Sequence, residues 1–148
     1  MGSDEAGGAT SGGQGSESAG DRVRVLVVDD EPEILELVVP VLRDRGYEVL
    51  EADNGDDAIE VIASERPTVV VLDVMMPGMS GWEVCRMVRS NPDLEEVRII
   101  MATGIGEATN AATSPLYGAD DALDKPFRLD TLVQKVDALV QASLGQGG

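Results

Sequence analysis

A chain of 148 residues with 28 Asp and Glu against 11 Lys and Arg, a net charge of −17, is ill suited to direct contact with nucleic acid or an anionic membrane, because phosphates would be repelled. It has no histidine, which excludes Ser-His-Asp and Cys-His nucleophile systems, His-ligated zinc and a phosphohistidine of its own. Hydrophobic residues make up 43 % of the chain and no apolar run approaches membrane-spanning length, which predicts one soluble domain with a real core.

Residues 1–21, MGSDEAGGATSGGQGSESAGD, offer almost nothing to bury and predict a disordered tail. They match neither a secretory signal nor, with Ala6 at the sixth position, a myristoylation site. VRVLVV (23–28) is a continuous β-branched run, suited to a parallel strand covered on both faces, and it ends in Asp29-Asp30. Residues 33–45 put Ile34, Leu37, Val38, Val41 and Leu42 on one helical stripe that stops at Gly46. Pro40 falls inside that helix, where it cannot bond the Glu36 carbonyl, and predicts a bend costing on the order of 3 kcal/mol in a regular interior. YEVLE (47–51) alternates apolar and polar, as an edge strand does.

Ala58, Ile59, Ile62 and Ala63 mark a second helix, ended by Arg66-Pro67. TVVVL (68–72) is another doubly covered strand, and it runs straight into Asp73. Ser80 is placed to N-cap a third helix that buries Val84, Cys85 and Val88. Cys85, the single cysteine, makes no internal disulfide and suits a reducing, cytoplasmic setting. Trp82 is expected to be partly exposed. VRII (97–100) begins a fourth strand that ends near Thr103-Gly104.

GEATNAATSPLYGADD (106–121) carries the weak helix formers Thr109, Asn110, Thr113 and Ser114, then Pro115. A short, loosely held helix at 106–113 is the most that this stretch predicts. Ala122-Leu123-Asp124 makes a short fifth strand leading into Lys125-Pro126, and Phe127 anchors a last helix with the stripe Leu129, Leu132, Val133, Val136, Leu139 and Val140. Residues 22–143 are read as one domain and 144–148 as a frayed tail.

This β-α alternation implies an α/β fold, a parallel sheet with helices on both faces, and ligands in such sheets sit at the carboxyl ends of the strands. On that rim the order of elements gathers Asp29, Asp30, Asp73, the Thr103 hydroxyl and the Lys125 ammonium. Crowded carboxylates repel one another and call for a cation, and oxygen-only ligands select a hard ion such as Mg²⁺. The ion, a lysine and a hydroxyl together neutralise the oxygens of a transferring phosphoryl group, and a carboxylate acceptor makes an acyl phosphate. Glu31 sits beside the cluster and reads as a first-turn helix charge. A haloacid-dehalogenase-type site needs a second Asp two residues after its nucleophile, and that position here is Met75.

VLVVDD, DVMMPGMSGWEV, MATG and GADDALDKPF, in that order, resemble the receiver domain of bacterial response regulators across about residues 22–143. The resemblance implies a flavodoxin-like (βα)5 doubly wound sheet of five parallel strands in the order 2-1-3-4-5. It implies that Asp73 accepts phosphoryl from a histidine kinase or histidine phosphotransfer protein, and that Asp29, Asp30, Asp73 and the Met75 backbone carbonyl hold Mg²⁺. Thr103 and Lys125 then contact the phosphoryl oxygens, and Lys125-Pro126 is a cis peptide.

Only a few residues follow the last helix, so a stand-alone receiver is expected, signalling by protein contact as a monomer or weak dimer. It is expected to be no enzyme beyond self-catalysed phosphotransfer and autodephosphorylation. A sink within a larger phosphorelay is the same chemistry with a shorter-lived acyl phosphate. One departure bears on the switch formed by Thr103 and residue 122: the family usually carries Tyr or Phe three residues before the lysine, and here that residue is Ala122. Ala122 and the weak fourth helix favour the alternative of a phosphorylation-independent interaction module, while the complete acidic pocket opposes it.

Overall fold

In the computed structural model, which describes residues 22–104 and 118–147, a single sheet of parallel strands runs through the centre of the molecule. The strands are β1 (Arg24–Val28), β2 (Glu48–Ala52), β3 (Val69–Asp73), β4 (Arg98–Thr103) and β5 (Asp121–Asp124), in the order β2-β1-β3-β4-β5. The helices are α1 (Pro32–Asp44), α2 (Gly55–Glu65), α3 (Gly81–Arg89) and a C-terminal α4 (Leu129–Gly147), with a 3-10 turn at Pro92–Leu94. The expected flavodoxin-like sheet is therefore present, with β2 at one edge and β5 at the other.

Successive side chains along each strand point to opposite faces, which splits the core in two. Leu26, Val70, Leu72, Ile99 and Met101 pack with Ala58, Ile62, Val84, Cys85 and Val88 of α2 and α3. Val25, Val27, Val71, Ile100 and Leu123 pack with Val38, Val39, Leu42, Leu132, Val136 and Val140 of α1 and α4. Both faces of β1, β3 and β4 are thus covered, which is why those strands are apolar throughout. The edge strand β2 does not alternate cleanly: Val49 is buried toward one core and Ala52, with half-buried Leu50, toward the other, while Glu51 is exposed.

Local chemistry sets the helix ends. The Ser80 hydroxyl accepts from the Glu83 N–H while the Glu83 carboxylate accepts from the Ser80 N–H, a reciprocal cap on α3. Asn54 caps α2 one way only, its side-chain oxygen accepting from the Asp57 N–H, a start that the hydrophobic pattern did not disclose. Gly46, at φ 96°, turns the chain out of α1.

Two expected core positions are corrected. Leu37 is 56 % exposed, because α1 meets the sheet along Val38, Val39 and Leu42, with Leu35 half-buried beside them. Ala63 is exposed too, since it falls past the edge of the stripe centred on Ala58 and Ile62. Pro40 lies on the solvent side of α1, which is assigned as one helix across it. Phe127 packs half-buried against the α1–α4 core, and Trp82 is half-buried as expected. The last helix continues to Gly147, through residues expected to fray. The expected tail at 1–21 and the short helix at 106–113 lie outside the described residues. Among the described residues, no helix is long and apolar enough to cross a membrane.

Gly81 fixes the end of β3. A Cβ there would stand 2.4 Å from the Asp73 carbonyl oxygen and 2.9 Å from the Val74 Cα, so only glycine lets the first turn of α3 lie against the strand. Gly81→Ala is expected to cost about 2–4 kcal/mol of stability, because the neighbour that must give way is backbone. Urea unfolding checks this, and an unchanged midpoint would refute the close approach.

Candidate functional site

The rim at the carboxyl ends of β1 and β3 holds three carboxylates. Asp29 follows β1 with its N–H bonded to the Ala52 carbonyl at 3.1 Å, so the backbone is still in sheet register as the side chain turns to the rim. Asp29 is 3 % exposed, and its Oδ1 accepts from the Glu31 N–H at 2.9 Å, where α1 begins. Asp73, the last residue of β3, is 2 % exposed and accepts from the Met75 N–H at 3.2 Å. Asp30 is half-buried beside them. Each of the three offers an oxygen within 4.8 Å of the others.

Lys125 crosses from β5 to reach this cluster. Its Nζ lies 3.0 Å from Asp29 Oδ2, 3.2 Å from Asp73 Oδ1 and 3.8 Å from Glu31 Oε1. Its backbone N–H donates to the Thr103 carbonyl at 2.7 Å, and the Lys125-Pro126 peptide is cis, as the resemblance implies. Thr103 is 1 % exposed at the end of β4, with its hydroxyl 3.3 Å from both the Gly104 carbonyl and Asp124 Oδ1.

The electrostatics follow from that packing. Burial, then the Asp29 charge beside it, pushes the Asp73 carboxyl up from 3.8 to about 6, against the opposing pull of Lys125. Burial alone would lower the Lys125 ammonium, but the hydrogen bond to Asp29 and the charges of Asp73 and Asp29 outweigh it and hold the lysine above its ordinary value. Lys125 therefore stays charged and offsets part of a cluster that is too negative to be comfortable.

The donor set is all oxygen, and the single thiol, Cys85, is buried in the core. Such a set, with waters completing the shell, fits Mg²⁺ better than a softer ion. Of the sequence-predicted residues, Asp29, Asp30, Asp73 and Lys125 converge on one another. Thr103 stands at the same rim but turns its hydroxyl toward Asp124. Met75 contributes its N–H to Asp73, and its side chain is 75 % exposed. Ala122 is buried in β5 opposite Met101. Sequence reasoning missed the reach of Glu31 to Lys125, the Asp124 acceptor and the Gly81 contact. The last sat in plain view beside Ser80, where a capped helix starts a few residues after a strand end.

A comparison with protein families matches the response regulator receiver domain over residues 25–137. The response regulator MprA of Mycolicibacterium vanbaalenii is 40 % identical over 126 residues, 85 % of this chain and 54 % of that protein. The chain spans about half the length of the curated relatives it matches. Among solved structures, the CheY-like response regulator receiver domain protein of Methanospirillum hungatei superposes with a TM-score of 0.76 at 26 % identity, covering 85 % of this chain and 99 % of that one. Chemotaxis response regulator CheY4 of Vibrio cholerae gives a TM-score of 0.73 at 32 % identity, covering 80 % and 98 %.

A carboxyl raised in the folded state stabilises the fold only while it keeps its proton. The Asp73 contribution is complete below 3.8, its ordinary value, and is lost as pH climbs through about 6. Without metal, the wild-type chain is expected to lose on the order of 1–2 kcal/mol relative to Asp73→Asn between about pH 4 and about pH 7. Urea midpoints of the two proteins across that range decide it, and parallel curves would contradict the burial of the charge.

Proposed function

The chain belongs to the response regulator receiver domain family of two-component systems, and on that premise we propose that it takes a phosphoryl group onto Asp73 from a histidine kinase or a histidine phosphotransfer protein. The observation that carries this is the Lys125 ammonium held between Asp29 and Asp73 at the mouth of a buried carboxylate cluster. Mg²⁺, when bound, would be held by Asp29, Asp30, Asp73 and the Met75 carbonyl, and would supply positive charge to offset the phosphoryl oxygens.

An Asp73 carboxylate oxygen attacks phosphorus, the P–N bond to the donor imidazole breaks, and its electron pair leaves with the nitrogen. The product is an acyl phosphate. Lys125, already in contact with Asp73, needs only a small shift to meet a phosphoryl oxygen, so positive charge is in place before transfer begins. Water attack on the acyl phosphate later restores Asp73 and releases inorganic phosphate. Both steps are self-catalysed, and the chain turns over no other substrate.

The donor protein has a place to dock. Ile34, Leu37, Phe127 and Leu129 form an apolar groove whose wall includes Lys125, so a partner seated there brings its imidazole to the site. Leu37 is the exposed lip of that groove. On this reading the receiver domain itself signals by protein contact in the cytoplasm, because a net charge of −17 disfavours direct contact of these residues with nucleic acid.

A phosphorylation-independent module is the second reading, favoured by Ala122, which has no ring to turn. One set of experiments separates the two. Acetyl phosphate with Mg²⁺ is expected to add one phosphate, seen by intact mass, and Asp73→Asn to abolish it. A wild-type chain that gains no phosphate and binds no Mg²⁺ would leave only the module. Leu37→Asp is expected to slow transfer from a phosphohistidine donor about tenfold, from the loss of one well-packed apolar contact, while labelling by acetyl phosphate stays at the wild-type rate. Equal slowing with both donors would move Leu37 from docking into the chemistry.

A further inference from the structure

Thr103 stands beside a competitor for its hydroxyl proton. The ladder between β4 and β5 sets Thr103 directly opposite Asp124, and the Thr103 hydroxyl lies 3.3 Å from Asp124 Oδ1. The Gly104 carbonyl is at the same distance, and the carboxylate is the stronger acceptor because it is charged. A threonine hydroxyl has one proton to donate. It serves Asp124 or an acceptor at the Asp73 site, never both at once. Asp124 is also the residue before Lys125, whose N–H bonds the Thr103 carbonyl at 2.7 Å, so the two rim groups from β4 and β5 are joined at both backbone and side chain.

We propose that Asp124 is a positioning residue that holds the Thr103 hydroxyl away from the phosphoryl site until a phosphoryl group outbids it. This rests on Asp73 being the acceptor. When PO₃ is on Asp73, the hydroxyl proton transfers its hydrogen bond from Asp124 to a phosphoryl oxygen, with no covalent bond made or broken at Thr103. Asp124 then loses a donor at the end of β5, and that strand is where the change is read. The arrangement needs no aromatic ring at position 122, and a buried Ala122 is compatible with it.

The test is beryllofluoride binding in the presence of Mg²⁺, followed by backbone NMR on the full chain. Asp124→Ala removes the competitor and is expected to tighten beryllofluoride about three- to tenfold, the net value of one ordinary hydrogen bond. Asp124→Asn keeps a neutral acceptor and should fall between Asp124→Ala and wild type. Adding Thr103→Val to Asp124→Ala must erase the gain, because no hydroxyl remains to be freed. If wild type binds beryllofluoride and Asp124→Ala binds it equally well or more weakly, Asp124 has no such role. A gain that survives Thr103→Val also overturns it, since the effect would then be general charge relief. If wild type itself gives no response, the acceptor assignment fails first and takes this inference with it.

Discussion

The repulsion between Asp29 and Asp73 is the constraint around which the rim is built. Strand neighbours in a sheet lie about 4.8 Å apart, and β1 and β3 are hydrogen-bonded neighbours, so acids at their carboxyl ends are forced together. Both side chains are almost wholly removed from water. In such surroundings two negative charges interact far more strongly than at the surface, and the fold accepts that strain only because one cation is built in. Lys125 fills that place from β5, two strands away from β3, and touches both acids at once. A fold with no use for a bound cation gains nothing from this cluster, and replacing the acids by neutral groups would make it more stable.

Everything near the rim serves to keep those oxygens in register. The Asp29 and Val74 N–H groups bond the carbonyls of Ala52 and Ala102, carrying the sheet ladder as far as the acidic residues. The reciprocal cap of Ser80 and Glu83 ends the loop after β3, and the bare Gly81 Cα lets α3 press on the Asp73 carbonyl. At the far side, Arg89 bonds the Gly118 carbonyl and Asp120, and Asp120 accepts the Ile99 N–H. That ties the lead-in of β5 to α3 and β4, and so fixes where Lys125 starts its reach.

Much of this was legible in the residues because the signals contradict their surroundings. An oily run such as Val69–Leu72 that ends on a charge has no packing explanation, and the same holds for Asp29 after Val25–Val28. The strand order was not legible from periodicity, which says that strands are buried and not which neighbours they have; it came with the family resemblance. Leu37 and Ala63 were misplaced because an apolar helix offers two stripes one residue apart, and only the angle at which it meets the sheet chooses between them. The Asp124 acceptor was invisible for a different reason: it depends on β4–β5 register, and a shift of one residue would send its side chain to the other face.

Charge bookkeeping also limits how a phosphoryl group can be felt elsewhere. Adding it raises the negative charge of a chain that already stands at −17, so the far field changes by a small fraction. Salt screens that field within roughly 8–10 Å in any case. A partner reading the long-range potential would hardly tell the two states apart. On the proposed chemistry, what would change sharply is confined to a few ångströms: which oxygen the Lys125 ammonium meets, and which acceptor holds the hydroxyl proton of Thr103. Those two groups sit on neighbouring strand ends joined by the Lys125 N–H and the Thr103 carbonyl. A short-range rearrangement there would act on both strand ends together, so on this reading the β5 edge of the sheet, not the acidic surface at large, is where two states would differ.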